Sequence, residues 1–282
     1  MKNRISFILG KKIFVFFFSL IYLNLIACTG VKSNQASEAS NITKENSISG
    51  SYVSGNDSPL QKDIDKAKKE GKTVFLVVTE KNISATKALD IAKQANKLQK
   101  KSVVLQMNRD DVANKSLVDK YGLAGAPVPI VLVIATNGVA IGGLMENQLT
   151  AEALINLIPS PKQTEVYLAL NDKKPVIIVV SKKSFIDKKS VLEKCNEAIS
   201  KLKTKPVLIE VDMDDKNEAG FLKQLQVDIL STKTITFVSN VKGEITGTYI
   251  STPDVNNITK AAMLVKQSGG CCPGGSGKGC GK

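Results

Sequence analysis

Histidine and tryptophan are absent from this sequence of 282 residues, and aromatic residues make up only 5% of it. Without histidine, the chain cannot form a Ser-His-Asp triad, and it also lacks the most frequent nitrogen ligand of protein-bound metals. No basic segment is interleaved with aromatic side chains, as a surface for nucleic acid would require, so we expect no nucleic-acid partner. Any metal site in this chain is therefore biased toward sulfur ligands.

Cysteine is also scarce, and no two cysteines have the spacing of a redox dithiol. The sequence has five cysteines, and none of them forms a Cys-x-x-Cys pair. Three of them lie close to the end of the chain, at Cys271, Cys272 and Cys280. Thiol chemistry, if present, is therefore concentrated outside the segments that are predicted to fold.

The chain begins with a segment typical of a bacterial signal peptide. Basic residues come first, and an apolar run follows over residues 13–25. The run is short for a membrane span, and it leads into Leu25-Ile26-Ala27-Cys28, which resembles a lipobox. This resemblance implies that residues 1–27 are removed and that Cys28 is acylated, with palmitate among its lipids. The alternative is an uncleaved anchor helix with an incidental cysteine.

Acylation of Cys28 would hold the protein at a membrane of the cell envelope through its lipid chains. Thr29 follows where aspartate would indicate retention at the inner membrane, so the outer membrane is favoured in a Gram-negative cell. Cleavage removes four basic and no acidic side chains, which lowers the formal charge from +13 to about +9. The remaining lysines are interleaved with acidic and apolar residues, which favours solvated faces over an anionic partner such as lipid headgroups or an acidic protein.

The mature chain is predicted to have four parts. Residues 28–58 are rich in Ser, Asn, Gly and Glu and poor in apolar residues, which predicts a disordered, flexible tether. Residues 59–160 and 161–268 each have the length of a typical domain. Residues 269–282 form a Cys/Gly-rich tail.

The first domain is predicted to contain helices and strands in the order α-β-α-β-α-β-β-α. Ser58-Pro59 with Gln61 is a typical helix start, and Gly71 ends that helix. Residues 73–78 and 130–135 are apolar, largely β-branched runs typical of buried strands. The other predicted elements are helices over 86–98, 110–121 and 150–158 and strands over 102–107 and 139–145.

A similar order recurs about 100 residues later, which indicates a second domain of the same type. Its first predicted element is a strand over 175–181. The others are helices over 190–202, 218–225 and 255–266 and strands over 206–212, 234–239 and 244–251.

Several segments resemble the second half of thioredoxin. In the first domain these are 108–111, 117–123 and Gly125-Ala126-Pro127-Val128, and segments 211–215 and 221–225 of the second domain lie at parallel positions. The resemblance implies an α/β fold with two tandem thioredoxin-like domains, each a mixed central sheet flanked by helices. It places Pro127 at the cis-proline position of the family and Thr232 at the equivalent position. These two residues are therefore predicted to shape a binding groove.

The dithiol of the thioredoxin family follows the central strand, where the start of the long helix lowers a thiol pKa. The corresponding segments here, 79–87 and 181–187, contain no cysteine. The oxidoreductase activity of the family therefore cannot be transferred to either domain. Tandem units of this kind resemble the non-catalytic domains of protein disulfide isomerases, which implies a scaffold for an envelope protein or peptide.

Cys195 lies on the apolar face of a predicted helix, in line with Val191 and Ala198. We therefore expect a buried core cysteine rather than a reactive one.

The three tail cysteines lie on a segment too rich in glycine to pack a core of its own. Cys271, Cys272 and Cys280 would suit a soft metal such as Cu(I) or Zn, although a structural zinc site usually has four ligands. The same three residues would be catalytic if the tail exchanged disulfides, as the mobile arms of larger thioredoxin reductases and mercuric reductase do. The protein would then be a thiol-disulfide oxidoreductase. The third alternative is a structural or intermolecular disulfide.

Overall fold

The computed structural model describes residues 58–265, which fall into two compact units. The first unit spans residues 58–158 and the second spans 159–265. The predictions for the signal peptide, Cys28, the tether and the tail cysteines concern residues outside this range. Within 58–265, no helix has both the length and the apolar character that a membrane span requires.

The first unit alternates helices and strands around one sheet. Its elements are α1 (Pro59–Lys69), β1 (Thr73–Thr79), α2 (Thr86–Leu98), β2 (Ser102–Asn108), α3 (Lys115–Tyr121), β3 (Ile130–Ile134), β4 (Ala140–Met145) and α4 (Ala151–Asn156). The start of α1 is fixed by Ser58, whose hydroxyl accepts a hydrogen bond from the Gln61 N–H at 3.2 Å. Gly122 ends α3 in a left-handed conformation, with φ of 63°, which glycine adopts without strain.

The second unit repeats this order. Its elements are α5 (Pro161–Asn171), β5 (Val176–Ser181), α6 (Lys188–Lys201), β6 (Val207–Asp212), α7 (Ala219–Gln224), β7 (Ile235–Ser239), β8 (Ile245–Ile250) and α8 (Val255–Met263). Ser160 and Gln163 form a capping box at the start of α5, so each unit begins with a serine-capped, proline-started helix.

Each unit contains one four-stranded mixed sheet, with the strand orders β2-β1-β3-β4 and β6-β5-β7-β8. The first two strands along the chain are parallel, and the third and fourth run antiparallel to their neighbours in both sheets. A sheet of this order with helices on both faces is the thioredoxin-like fold. The predicted fold class is therefore confirmed for both units.

The core lies on both faces of each sheet. Ile64 of α1 and Leu117 of α3 pack on one face of the first sheet, whereas Ala92 of α2 and Leu154 of α4 pack on the other. The second unit divides its core in the same way. The central strands β1 and β5 are almost completely buried, as their β-branched sequences predict.

Helix α5 was not predicted from the sequence. It carries only two buried residues, Val166 and Ala169, and its other apolar side chains do not follow one face, so no helical period marks it. Helix α3 begins five residues later than predicted, whereas α7 begins only one residue later than predicted. Short 3₁₀ turns, Val112–Asn114 and Lys216–Glu218, precede them.

A buried carboxylate holds the beginning of α5. The side chain of Glu218 is 1% exposed and accepts hydrogen bonds from the Ser160 hydroxyl at 2.5 Å and from the Lys162 N–H at 2.9 Å. These donors satisfy a charge that would be costly to bury alone, and they join the 3₁₀ turn to the helix.

Candidate functional site

The candidate site of each unit lies at one edge of its sheet, which we call the carboxyl edge. There the two parallel strands end, the first antiparallel strand begins, and a loop leads to the long helix. These loops, 80–85 in the first unit and 182–187 in the second, are of equal length. They lie within segments 79–87 and 181–187. The thioredoxin family has its dithiol there, and this sequence has no cysteine there.

In the first unit, Arg109 joins three parts of the carboxyl edge. Its guanidinium donates to the Glu80 carboxylate after β1 and to the carbonyl oxygens of Ala126 and Leu123 before β3, the last at 3.3 Å. Its backbone N–H donates to the Thr79 carbonyl at 2.9 Å. Because the Arg109 side chain is only 17% exposed, these contacts are partly shielded from water and make the edge rigid.

Two hydroxyl groups at the loop of the first unit hydrogen-bond to each other. The Ser84 and Thr86 hydroxyls lie 3.1 Å apart and hydrogen-bond to each other. The Lys81 N–H donates to the Asp110 carboxylate at 2.8 Å, which ties the loop to the end of β2.

In the second unit, Asp187 lies at the end of loop 182–187, which corresponds to the dithiol segment of the thioredoxin family. It immediately precedes α6, and its carboxylate accepts from the Thr234 hydroxyl at 2.8 Å and from the Thr234 N–H at 3.2 Å. Thr234 is fully buried and immediately precedes β7. The Asp187 carboxylate is therefore engaged by both the hydroxyl and the N–H of Thr234.

The placement of the cis-proline at Pro127 was wrong. The cis peptide bond joins Val128 to Pro129, directly before β3 begins at Ile130. The sequence offers two prolines in Pro127-Val128-Pro129, and only the second one borders the strand.

Thr232 was misplaced by the same two residues. Ile130 and Ile235 occupy equivalent positions, because they begin the strands that run antiparallel to β1 and β5. The equivalent of Pro129 is therefore Thr234. Pro127 and Thr232 are exposed in the preceding loops, and their part in a binding groove stays a prediction.

Four large apolar side chains are exposed at the carboxyl edge of the second unit. Ile186 is 100% exposed, Ile229 64%, Leu230 83% and Ile250 68%. Ile186 precedes Asp187, and Ile229 and Leu230 lie in the loop that leads to Thr234. Ile250 pairs with Ile235 at the beginning of β7. The segments that carry them meet at Thr234, whose carbonyl accepts from the Ser251 N–H at 2.8 Å.

The first unit has a smaller set of exposed apolar residues at its carboxyl edge. Ile83 of the loop is 40% exposed, and Val112, which follows β2, is 86% exposed. Sequence patterns alone did not identify either set. The sequence contains one signal for the exposed set of the second unit. Ile229-Leu230 is an apolar pair that lies outside every predicted strand and helix.

Cys195 is buried, as predicted. It has no exposed surface and packs with Val191 and Ala198 in the core of the second unit. Burial raises the pKa of the thiol to about 11. A thiol with so high a pKa is protonated at neutral pH and therefore unreactive.

The described residues do not bring together a metal site. Within 58–265, no group of three or more Cys, Asp or Glu side chains is arranged to hold a metal ion. Cys28 and the predicted ligands Cys271, Cys272 and Cys280 lie outside these residues, so their roles stay predictions.

No family model and no curated protein matches the sequence, but several solved structures are similar to it. The zinc-bound form of human ERp44 is 12% identical, with 70% of this chain and 56% of that chain covered and a TM-score of 0.31. The first two thioredoxin domains of Naumovozyma dairenensis Eps1p are 14% identical, with 72% and 94% covered and a TM-score of 0.26.

A third similar structure is the NTD_N/C domain of alkylhydroperoxide reductase AhpF from Enterococcus faecalis. It is 13% identical, with 72% of this chain and 98% of that chain covered and a TM-score of 0.24. The chain spans little more than half of the ERp44 chain, at 56%. At such identities and TM-scores, the similarities carry no argument about function, and the fold assignment rests on the strand order of each unit.

Proposed function

We propose that this protein is a non-catalytic thioredoxin-like scaffold that binds a polypeptide with apolar side chains at the carboxyl edge of the second unit. The observation that carries the proposal is the exposure of Ile186, Ile229, Leu230 and Ile250 at one edge of one sheet. Grouped exposed apolar residues typically mark interaction sites, whereas single ones are ordinary.

The energetics of binding support this choice of partner. Covering a fully exposed leucine or isoleucine contributes about 1.5–3 kcal/mol, so a few anchors of this kind offset much of the entropy lost on association. The Asp187–Thr234 contact keeps the edge ordered before binding, which lowers that entropy cost further.

The absence of an accessible thiol within residues 58–265 supports a binding role over an enzymatic one. Segment 182–187 has no thiol, and its carboxylate is engaged by Thr234. The buried Cys195 thiol, with its raised pKa, is not available for exchange.

Mapping of a bound peptide tests this site. Peptides selected for binding to the full chain should be enriched in apolar residues. We expect them to slow amide hydrogen exchange over 182–187 and 226–234 and to leave α2, in the other unit, unchanged. Protection confined to other segments would contradict the proposed location.

The tail is proposed to handle a soft metal through Cys271, Cys272 and Cys280, with Cu(I) or Zn as the metal. The alternative is that these thiols exchange disulfides and make the protein a thiol-disulfide oxidoreductase. Metal analysis of anaerobically purified protein, with and without residues 269–282, distinguishes the two. Loss of about one metal ion with the tail supports metal handling, whereas equal metal content in both forms contradicts metal handling by the tail.

Attachment to the envelope through acylated Cys28 completes the proposal, with the outer membrane favoured if the cell is Gram-negative. Incorporation of labelled palmitate by the intact protein and by a Cys28→Ser variant tests it. We expect label in the first and none in the second. Equal labelling would show that Cys28 is not the lipidation site.

A further inference from the structure

Lysine side chains gather at the amino edge of the first unit, which is the edge of its sheet opposite to the carboxyl edge. There β1 and β2 begin and β3 ends. Segment 66–72 leads into β1, and segment 97–101 leads into β2. The Thr73 N–H donates to the Lys101 carbonyl at 3.0 Å, so the two segments lie side by side. Together they contain seven lysines and one acidic residue: Lys66, Lys68, Lys69, Lys72, Lys97, Lys100, Lys101 and Glu70.

Most of these lysines carry a charge that no carboxylate neutralises. Glu70 is engaged by Lys72, whose ammonium group donates to it at 2.7 Å. Five exposed lysines form no ion pair within residues 58–265: Lys68, Lys69, Lys97, Lys100 and Lys101. The carboxyl edge of the same unit differs, because Arg109 pairs there with Glu80, and Lys87 pairs with Glu146 at 3.2 Å. The positive charge of this unit is therefore concentrated at one edge.

An exposed leucine lies among these lysines. Leu98 is the last residue of α2 and is 72% exposed. Lys97 precedes it, and Lys100 and Lys101 follow within three residues. Surfaces that lie at a membrane interface combine these two features: cationic groups attract the anionic headgroups, and an apolar side chain enters the layer beneath them.

The residue types at the amino edge select among anionic partners. All cationic side chains of segments 66–72 and 97–101 are lysines, which act as point charges, whereas bidentate recognition of a single phosphate or carboxylate typically uses arginine. The two segments contain no aromatic residue on which a nucleic-acid base could stack. Many dispersed negative charges above an apolar layer match this surface best, and an anionic bilayer has both.

We propose that the amino edge of the first unit docks on an anionic lipid bilayer, with its lysine ammonium groups among the lipid phosphates and Leu98 in the layer beneath them. The folded unit itself makes this contact. The proposal therefore goes beyond the acylation of Cys28 and does not depend on it.

Sedimentation of the full chain with vesicles measures this contact. The vesicles contain equal amounts of phosphatidylglycerol and phosphatidylcholine. One double variant combines Lys100→Gln with Lys101→Gln at the amino edge. The matched control combines Lys81→Gln with Lys87→Gln at the carboxyl edge, so both proteins lose two positive charges.

We expect the two double variants to differ in their partition onto these vesicles. Each lysine at an anionic surface contributes about fivefold to binding, so the amino-edge variant should bind about tenfold more weakly or less than that. β1 has seven residues, which places the carboxyl edge roughly 20 Å farther from the bilayer. This distance exceeds the Debye length of about 10 Å at 0.1 M salt, so the control should lose less than about twofold.

Equal effects of the two double variants would show attraction by net charge alone and would overturn the proposal. Leu98→Gln keeps the charge and should weaken vesicle binding about fivefold, because it removes the apolar side chain that enters the bilayer. Unchanged binding of this variant contradicts the insertion of Leu98. Polyglutamate tests the other class of anionic partner: binding as tight as that to vesicles, and equally sensitive to Leu98→Gln, would favour an acidic polypeptide and overturn the proposal.

Discussion

Asp187 and Thr234 show at the scale of single residues how a thioredoxin-like edge is stabilised without a dithiol. The Asp187 carboxylate receives both the hydroxyl and the N–H of the buried Thr234. Because Asp187 immediately precedes α6 and Thr234 precedes β7, this pair fixes the loop before the long helix against the antiparallel strand. The loop that corresponds to the dithiol segment of the thioredoxin family thus carries a structural hydrogen bond in this protein.

Replacement of Asp187 by alanine should destabilise the second unit. It leaves two buried donors of Thr234 without an acceptor, which we expect to lower the free energy of unfolding by about 2–4 kcal/mol. Urea denaturation followed by circular dichroism measures this. Asp172→Ala is the control, because that exposed carboxylate only pairs with Lys174 at 3.5 Å and should contribute less than about 0.5 kcal/mol. Equal effects of the two substitutions would contradict the structural role of Asp187.

Cys195 should make the protein less stable at alkaline pH. The folded-state pKa is about 11 and the ordinary value is 9.0, so the unfolded chain loses this proton first as the pH rises. The contribution to stability is fully present below pH 9 and is lost as the pH rises through about 11, by up to about 3 kcal/mol. Unfolding free energies of the wild type and Cys195→Ala between pH 8 and 11 test this. Parallel curves for the two proteins would show that Cys195 does not titrate as described.

At the scale of elements, the start of α5 depends on a residue distant in sequence. Glu218 accepts hydrogen bonds from Ser160 and Lys162, and it lies in the 3₁₀ turn before α7. Ser160, Pro161 and Gln163 give α5 a local capping signal, and the contact with Glu218 adds a tertiary anchor for its first turn. Helices α5 and α7 are thereby held together.

Glu218→Ala should release the first turn of α5. The loss of two hydrogen bonds to a buried carboxylate is expected to cost about 2–4 kcal/mol and to speed amide exchange at the beginning of the helix. Native-state hydrogen exchange with the full chain resolves this effect. Glu165→Ala on the exposed side of α5, where Glu165 only pairs with Lys162, is the matched control and should change exchange little. Uniform loss of protection throughout both units would argue against a local role.

At the scale of the whole molecule, the tandem fold was predictable because its strongest signals are local. The buried strands β1 and β5 and the repeated order of elements are visible in the apolar pattern. The positions of Pro129 before β3 and of Thr234 before β7 could not be predicted. Strand register decides them, and the sequence has two candidate prolines, Pro127 and Pro129. The exposed apolar edge also escaped prediction, since exposure is a property of the folded chain and not of a sequence window.

The central claim is that the second unit binds a polypeptide through exposed apolar residues and without thiol chemistry. The most direct test measures the dissociation constant of one selected peptide for four full-length proteins: the wild type, Leu230→Asp, Leu98→Asp and a variant with Ser at positions 271, 272 and 280. Leu98 is the control, because it is 72% exposed and lies in the first unit.

We expect Leu230→Asp to weaken binding about tenfold or more, because it places a charge where an apolar anchor binds. Leu98→Asp and the tail variant should bind like the wild type. Loss of binding in the tail variant, with Leu230→Asp unaffected, would contradict this account and favour a thiol-disulfide oxidoreductase that acts through its tail.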